Sequence, residues 1–163
     1  MRILEVFFDY ACPYCYSAYP YFVKLLPQYK DIQVRWRPIE AHPRPEERAR
    51  YSDLCAAGMY YAEDQGIDPI SYHDAIFEAV HNQNVNIDDA NALAAAVKGI
   101  LDEQSFAAAL KNSAYLEKVA QANNEAYTQR GVWAVPACRL EDKCLDAVAD
   151  IGITEQQLAE FLR

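Results

Sequence analysis

At 163 residues and 52% apolar content, the chain is long enough to bury one core and gives no sign of a second independent domain. Its formal charge of −9 is the opposite of the basic footprint that DNA, RNA or an anionic membrane attracts, so nucleic-acid and membrane partners are set aside. Nothing approaches the roughly 20 apolar residues of a membrane span, and Glu5 and Asp9 interrupt the N-terminal apolar run, so no signal peptide is read and the expected compartment is the cytoplasm.

The run Ile3-Leu4-Glu5-Val6-Phe7-Phe8 has strand length and character. A helix is predicted from Pro13 to Leu26, with Pro20 as a kink and Pro27 near its end. Ile32 to Ile39 then alternates apolar with polar residues and predicts a second strand, which Pro38 should close or occupy at an unpaired position. Strand, helix, strand makes a right-handed parallel βαβ unit. From His42 the character changes. Arg44, Glu46, Glu47, Arg48 and Arg50 mark a solvated stretch, and the signals are then helical as far as Arg130. Asp68-Pro69 is an N-cap followed by proline at the first helical position. Asp88 precedes a helix from Ala90 to Lys98 that Gly99 stops, Asp102 precedes another, and Ser113 opens the last, which Gly131 ends. The tail returns to β character: Ala137–Leu140 and Cys144–Val148 predict a hairpin, and Thr154 caps a terminal helix over Glu155–Arg163. The order is β-α-β, helical block, β-β-α, without internal repeat or low-complexity linker.

Where the first strand hands over to the first helix stands Cys12-Pro13-Tyr14-Cys15. Unpaired N–H groups and the positive end of the helix dipole favour an anion at Cys12, lowering a thiol from about 8.5 into a range of roughly 3.5 to 7.5. Cys15, one turn on and on the same face, is placed to close a disulfide with Cys12 and reopen it by exchange. The same spacing is also half of a zinc knuckle, although such pairs sit on turns and need a second pair of ligands. Five cysteines is an odd number in a pattern unlike a disulfide scaffold, and in a reducing compartment such residues are catalytic or metal-binding more often than structural.

Of the other cysteines, Cys55 reads as helix packing. Cys138 and Cys144 read as small strand residues, on opposite faces if a two-residue loop joins the hairpin; the sharper reading makes Cys138, two residues past Pro136, a backup thiol. His42, His73 and His81 lack metal-ligand spacing, and His73 and His81 are expected at a helix surface or edge. Asp9 is read as a cap of the active turn or a proton acceptor near Cys15. Glu5 and Glu40 are alternatives for that second role if either is buried below Cys15. Tyr10, Tyr16, Tyr19, Tyr21 and Phe22 are expected in the core or lining a groove, with Tyr14 exposed between the cysteines.

Tyr10-Ala11-Cys12-Pro13-Tyr14-Cys15-Tyr16, Trp36-Arg37-Pro38-Ile39-Glu40 and Gly131-Val132-Trp133-Ala134-Val135-Pro136 together resemble the DsbA family, and within it the FrnE-like branch, over essentially the whole chain. The resemblance implies an α/β thioredoxin fold with an all-helical insertion after the second strand: residues 1–41 and 131–163 as the thioredoxin-like part, 42–130 as the insertion. It implies a cis proline at Pro136 beside the cysteines, with Val135 offering its backbone to a substrate chain that also meets Pro13 and Tyr14. The chain departs from the branch at Ala134, where glycine is usual, and at Ala137 and Cys138, where a threonine and an aromatic are usual. Its Pro13-Tyr14 dipeptide is more like that of glutaredoxins. The implied activity is thiol-disulfide exchange with protein or small-molecule thiols, glutathione included, through a mixed disulfide on Cys12 that Cys15 resolves, without metal or organic cofactor. Two alternatives remain open: a glutathione-dependent isomerase or transferase of the same fold, whose members usually carry serine at the position of Cys12, and a metal or iron–sulfur site using Cys12 and Cys15 across a dimer.

Overall fold

The computed structural model describes residues 1–163. β1 (Arg2–Phe8) leads into α1 (Pro13–Leu25), which ends in a 3-10 turn at Leu26–Gln28, and β2 (Ile32–Pro38) follows. Five helices come next: α2 (Asp53–Asp64), α3 (Pro69–His81), α4 (Ala90–Ala96), α5 (Glu103–Leu110) and α6 (Ser113–Asn124). A π-helical turn at Glu125–Gln129, β3 (Ala137–Leu140), β4 (Lys143–Asp146) and α7 (Glu155–Leu162) complete the chain. The sheet order is β2-β1-β3-β4, with β1 and β2 parallel and the other pairs antiparallel. This is the α/β thioredoxin-like arrangement, with the helical insertion between β2 and β3.

The period-2 pattern of β1 sorts the sheet into two apolar faces. Leu4, Val6 and Phe8 join a cluster of 32 buried residues that takes in Cys15, Tyr19 and Phe22 of α1, Leu158 and Leu162 of α7, and much of the helical block. Phe7 points the other way, into a smaller cluster with Ile39, Ala122, Ala126, Val132 and Ala137. The larger core therefore runs continuously from the sheet into the insertion. No helix is long and apolar enough to cross a membrane.

Three helix N-termini are fixed by side chains that the sequence marks. Asp68 accepts from the Ile70 N–H, Asp102 from the Ser105 N–H, and Thr154 forms a capping box with Gln157. Two caps sit one residue away from their expected places. Asp89, not Asp88, accepts from the N–H groups of Asn91 and Ala92, while Asp88 is drawn off to the Tyr51 N–H at 3.2 Å. Asn112, not Ser113, caps α6 by accepting from the Ala114 N–H. The fourth helix also stops at Ala96 instead of Lys98, and its C-cap Val97 carries the N–H that bonds Ala94 and Ala95.

The hairpin is shorter on its second strand than the apolar run suggests. Leu140 pairs with Lys143 across a two-residue turn, Glu141-Asp142, and Glu141 takes up a left-handed φ of 55°. Beyond Asp146 the chain leaves the ladder, and Val148 bridges to Gly152 instead. The register puts Cys138 opposite Leu145 and Arg139 opposite Cys144, so Cys138 and Cys144 face opposite sides of the sheet and do not bridge.

Candidate active site

Pro13 starts α1 at its first position, and Cys12 is the N-cap residue, extended at φ −79° and ψ 121°. The Cys12 carbonyl accepts the first helical bond, from the Tyr16 N–H at 3.1 Å, and the Cys12 N–H donates to the Asp9 carbonyl at 3.1 Å. The turn before it is held by the Asp9 carboxylate, which accepts from the Ala11 N–H and the Ala41 N–H, each at 2.8 Å. A strand end, a loop after β2 and a helix start are thus tied together by one buried carboxylate.

The two thiols differ in kind. The Cys15 thiol donates to the Cys12 sulfur, and against the cost of partial burial this bond, with the backbone N–H groups of Cys15 and Tyr14, lowers the Cys12 thiol to about 7. Nearby Asp9 opposes the shift. Cys15 is 3% exposed; burial, and then the bond it gives to Cys12, push its thiol well above the usual range. The Asp9 N–H reaches the Cys15 sulfur at 3.5 Å and works in the opposite direction. The arrangement makes Cys12 the thiolate and Cys15 the protonated thiol beside it.

Val135 lies across from the pair. Its carbonyl oxygen lies 3.8 Å from the Cys12 sulfur, its own N–H has no intramolecular partner, and the Val135-Pro136 peptide is cis. The Pro136 carbonyl accepts from the Ala147 N–H at 3.0 Å, which ties the loop to the end of the hairpin. Tyr14 is 39% exposed, and its ring packs on the backbone of Gly152, where an added Cβ would come within 3.2 Å and where φ is +80°.

Cys12, Pro13, Tyr14 and Val135 line a cleft of about 530 Å³. Its other wall comes from residues to which the sequence assigns no site role, although Trp133 stands in the Gly131–Pro136 motif. The loop after β2 supplies His42, Arg48, Arg50 and Tyr51, and the chain before β3 supplies Tyr127 and Trp133. Trp133 is 81% exposed and stacks on Tyr127 with ring centroids 5.8 Å apart. The Arg50 guanidinium donates to the Val80 carbonyl at 3.0 Å and has no carboxylate partner, whereas Arg48 is paired with Glu46 at 3.2 Å. The mouth of the site is therefore basic and aromatic, on a protein of net charge −9. The signal for this lay in the run from Arg44 to Arg50, which charge alone marks only as solvated.

Several sequence expectations are corrected. The carboxylate beside the pair is Asp9. Glu5 sits on the other face of β1, paired with Arg37 and Arg130, and Glu40 accepts from the Asn123 side chain at 2.9 Å. Cys138 is fully buried between Val6 and Leu145 and borders no part of the cleft, which leaves it no route to act as a backup thiol; burial raises its pKa. Cys55 is fully buried in α2, as expected of helix packing. His73 does not lie at a helix edge: it is fully buried, because α3 turns that face onto β1 and α1 among Phe8, Tyr10 and Trp36. His81 is half-buried, stacks on Tyr16 and bonds the Tyr10 carbonyl at 2.7 Å. No three His, Cys, Asp or Glu side chains are grouped so as to hold a metal ion, so Cys12 and Cys15 are without further ligands in this chain.

Comparison with known proteins agrees with this fold. A probable DsbA oxidoreductase from Streptomyces coelicolor superposes with a TM-score of 0.82 at 19% identity, over 99% of this chain and 88% of its own. Pseudomonas aeruginosa DsbA gives a TM-score of 0.71 at 22% identity over 99% and 81%. A 2-hydroxychromene-2-carboxylate isomerase gives 0.68 at 19% identity over 88% of each chain. At these identities the likeness is one of fold. No curated protein sequence gives a significant match. The model of the DSBA-like thioredoxin domain matches residues 3–162, and the chain belongs to that family.

Proposed function

We propose that the protein is a thiol-disulfide oxidoreductase that exchanges electrons with protein or small-molecule thiols through Cys12 and Cys15. The observation that carries this reading is the pairing of a thiol lowered to about 7 at a helix N-terminus with a buried, protonated thiol one turn on. In the reducing direction the Cys12 thiolate attacks a substrate disulfide, and one half of the substrate leaves as a thiol. Cys15 then attacks the Cys12 sulfur, its proton passing to the second departing thiolate, and the intramolecular disulfide remains. The oxidising direction is the reverse.

The unpaired Val135 N–H beside the thiolate supports docking of an extended chain by main-chain hydrogen bonding. Pro13 and Tyr14 form the opposite lip of the same cleft. Arg50, which lines the cleft and has no carboxylate partner, favours an anionic substrate, so a carboxylate-bearing thiol such as glutathione suits the cleft as well as an acidic peptide does. The reading needs no metal or organic cofactor. The proposal takes the setting to be cytoplasmic, which the unpaired buried thiols Cys55 and Cys138 support. Within the DSBA-like domains, the motif resemblance supports the FrnE-like branch.

Trapping tests the proposal. Cys12→Ser is expected to abolish exchange, while Cys15→Ser is expected to accumulate a mixed disulfide on Cys12 that mass spectrometry detects. Full turnover by Cys15→Ser would instead establish a monothiol mechanism and favour the glutathione-dependent isomerase or transferase.

A further inference from the structure

Separate from the cleft, next to Cys15, is a space of about 10 Å³ bordered by Val6, Phe8, Trp36, Pro136 and His73. Its lining is apolar and aromatic except for the Cys15 sulfur and the imidazole. His73 is fully buried, and its Nε2 is the one buried side-chain nitrogen or oxygen in the protein that has no hydrogen-bond partner. A buried polar atom left alone costs about 1–3 kcal/mol, so its retention needs a reason.

The tautomer follows from counting partners. The Nδ1 atom lies 2.8 Å from the Tyr10 hydroxyl, which is itself fully buried and has no other partner. If Nδ1 carried the proton, the Tyr10 hydroxyl hydrogen and the Nε2 lone pair would both be unpaired. If Tyr10 donates to Nδ1, only the Nε2–H remains, and that arrangement is the better satisfied. Burial lowers the His73 pKa to about 3, so the ring acts as a neutral donor and adds no charge. Tyr10 does not border the space, whereas His73 and Cys15 both do, and Nε2 is the imidazole atom left without a partner.

We infer that His73 is a positioning residue for the resolving cysteine, its Nε2–H stabilising negative charge on the Cys15 sulfur through the one bridging water molecule that a space of this size admits. This rests on the exchange reading above. In the resolving step Cys15–SH gives up its proton, its sulfur bonds to the Cys12 sulfur, the Cys12–substrate S–S bond breaks, and the substrate leaves as a thiol carrying that proton. Charge passes through a sulfur whose only other fixed donor is the Asp9 N–H at 3.5 Å, with the Asp9 carboxylate opposing it. The aromatic neighbours Phe8, Tyr19, Trp36 and Phe77 offer that sulfur no charged partner. A preorganised donor in such surroundings is worth more than in water. The third helix thereby carries part of the insertion under the reactive pair.

The test uses the reduced protein and 5,5′-dithiobis(2-nitrobenzoate), in a Cys144→Ser background because Cys144 is exposed and would also react. Attack by Cys12 releases one coloured thiolate and resolution by Cys15 releases the second, so stopped-flow absorbance separates the steps. His73→Leu is expected to leave the first phase unchanged and slow the second about tenfold, while His73→Gln, which keeps an N–H donor, recovers most of that loss. A second phase within about twofold of the parent in His73→Leu, or His73→Gln as slow as His73→Leu, would overturn the inference. If His73→Leu does not fold, ¹H–¹⁵N correlation of the imidazole in the unmutated protein decides: protonation at Nε2 is expected, and protonation at Nδ1 overturns it. Absence of a Cys12-dependent first phase would count against the exchange reading itself.

Discussion

Cys12 and Cys15 are both apolar-sized thiols on one helix turn, and what separates them chemically is access to donors. Cys12 collects the Cys15 thiol and the open N–H groups at the helix start, while Cys15 lies in the core beneath. Alkylation of the reduced protein, in the Cys144→Ser background, should therefore fall on Cys12, with a rate that is half-maximal near pH 7 and drops as the pH falls below it. Labelling of Cys15 or Cys55 ahead of Cys12, or a midpoint near the 8.5 of an ordinary thiol, would contradict the assignment. His73 gives a second pH dependence, in stability. The folded protein holds the ring neutral down to about pH 3, whereas the unfolded chain protonates it near 6.5. Between those values the unfolded state binds the extra proton, so stability is full above about 6.5 and is lost as the pH falls towards 3, by a few kcal/mol in all. Denaturant melts across this window should show a shallower slope for His73→Phe than for the parent. At this scale the reactive pair was readable because its spacing is local. The burial of His73 was not, since three histidine positions in sequence say nothing about which face of α3 the sheet covers. Arg50 and Trp133 were equally hidden as site residues, because only the fold brings the loop after β2 opposite the loop before β3.

Among the elements, the capping residues carried most of the legible signal. Asp68 and Asp102 fill N-cap positions as their side-chain chemistry suggests, and Asp68→Ala should cost about 1 kcal/mol in a denaturant melt. The misplacement from Asp88 to Asp89 shows the limit: both residues can cap, and the Tyr51 N–H, distant in sequence, claims the first. The short second strand of the hairpin has a similar origin, since Ala147 and Val148 bond to Pro136 and Gly152 instead of continuing the ladder. A stronger dependence on packing appears at Gly58 in α2. Alanine there raises helix propensity by about 1 kcal/mol, yet its Cβ would lie 2.2 Å from the Tyr72 hydroxyl and 2.7 Å from the Phe106 ring. Those groups belong to α3 and α5, so Gly58→Ala should lower stability by about 1–3 kcal/mol in spite of the propensity gain. A neutral or stabilising Gly58→Ala would show that the insertion is packed less closely than this.

For the whole molecule, the element order was legible from the sequence because βαβ and ββα units show in its periodicity and turns, and the resemblance supplied the thioredoxin arrangement and its insertion point. The continuity of the core was not, because periodicity shows which face of a helix is apolar but not what covers it. That continuity places α3 under Cys15 and sets Arg50 and Tyr51 opposite Cys12. The central claim is that Cys12 and Cys15 form one reversible two-electron couple. Equilibration of the protein in glutathione buffers of graded poise, with the disulfide followed by mass spectrometry, tests it most directly. A thiol near 7 stabilises the reduced form about as thioredoxin does, and less than DsbA, with its cysteine at about 3.5, does. The expected result is a single two-electron transition nearer thioredoxin's potential of about −270 mV than DsbA's of about −120 mV. Oxidised protein carrying separate glutathione adducts, with no Cys12–Cys15 disulfide at any poise, would contradict it.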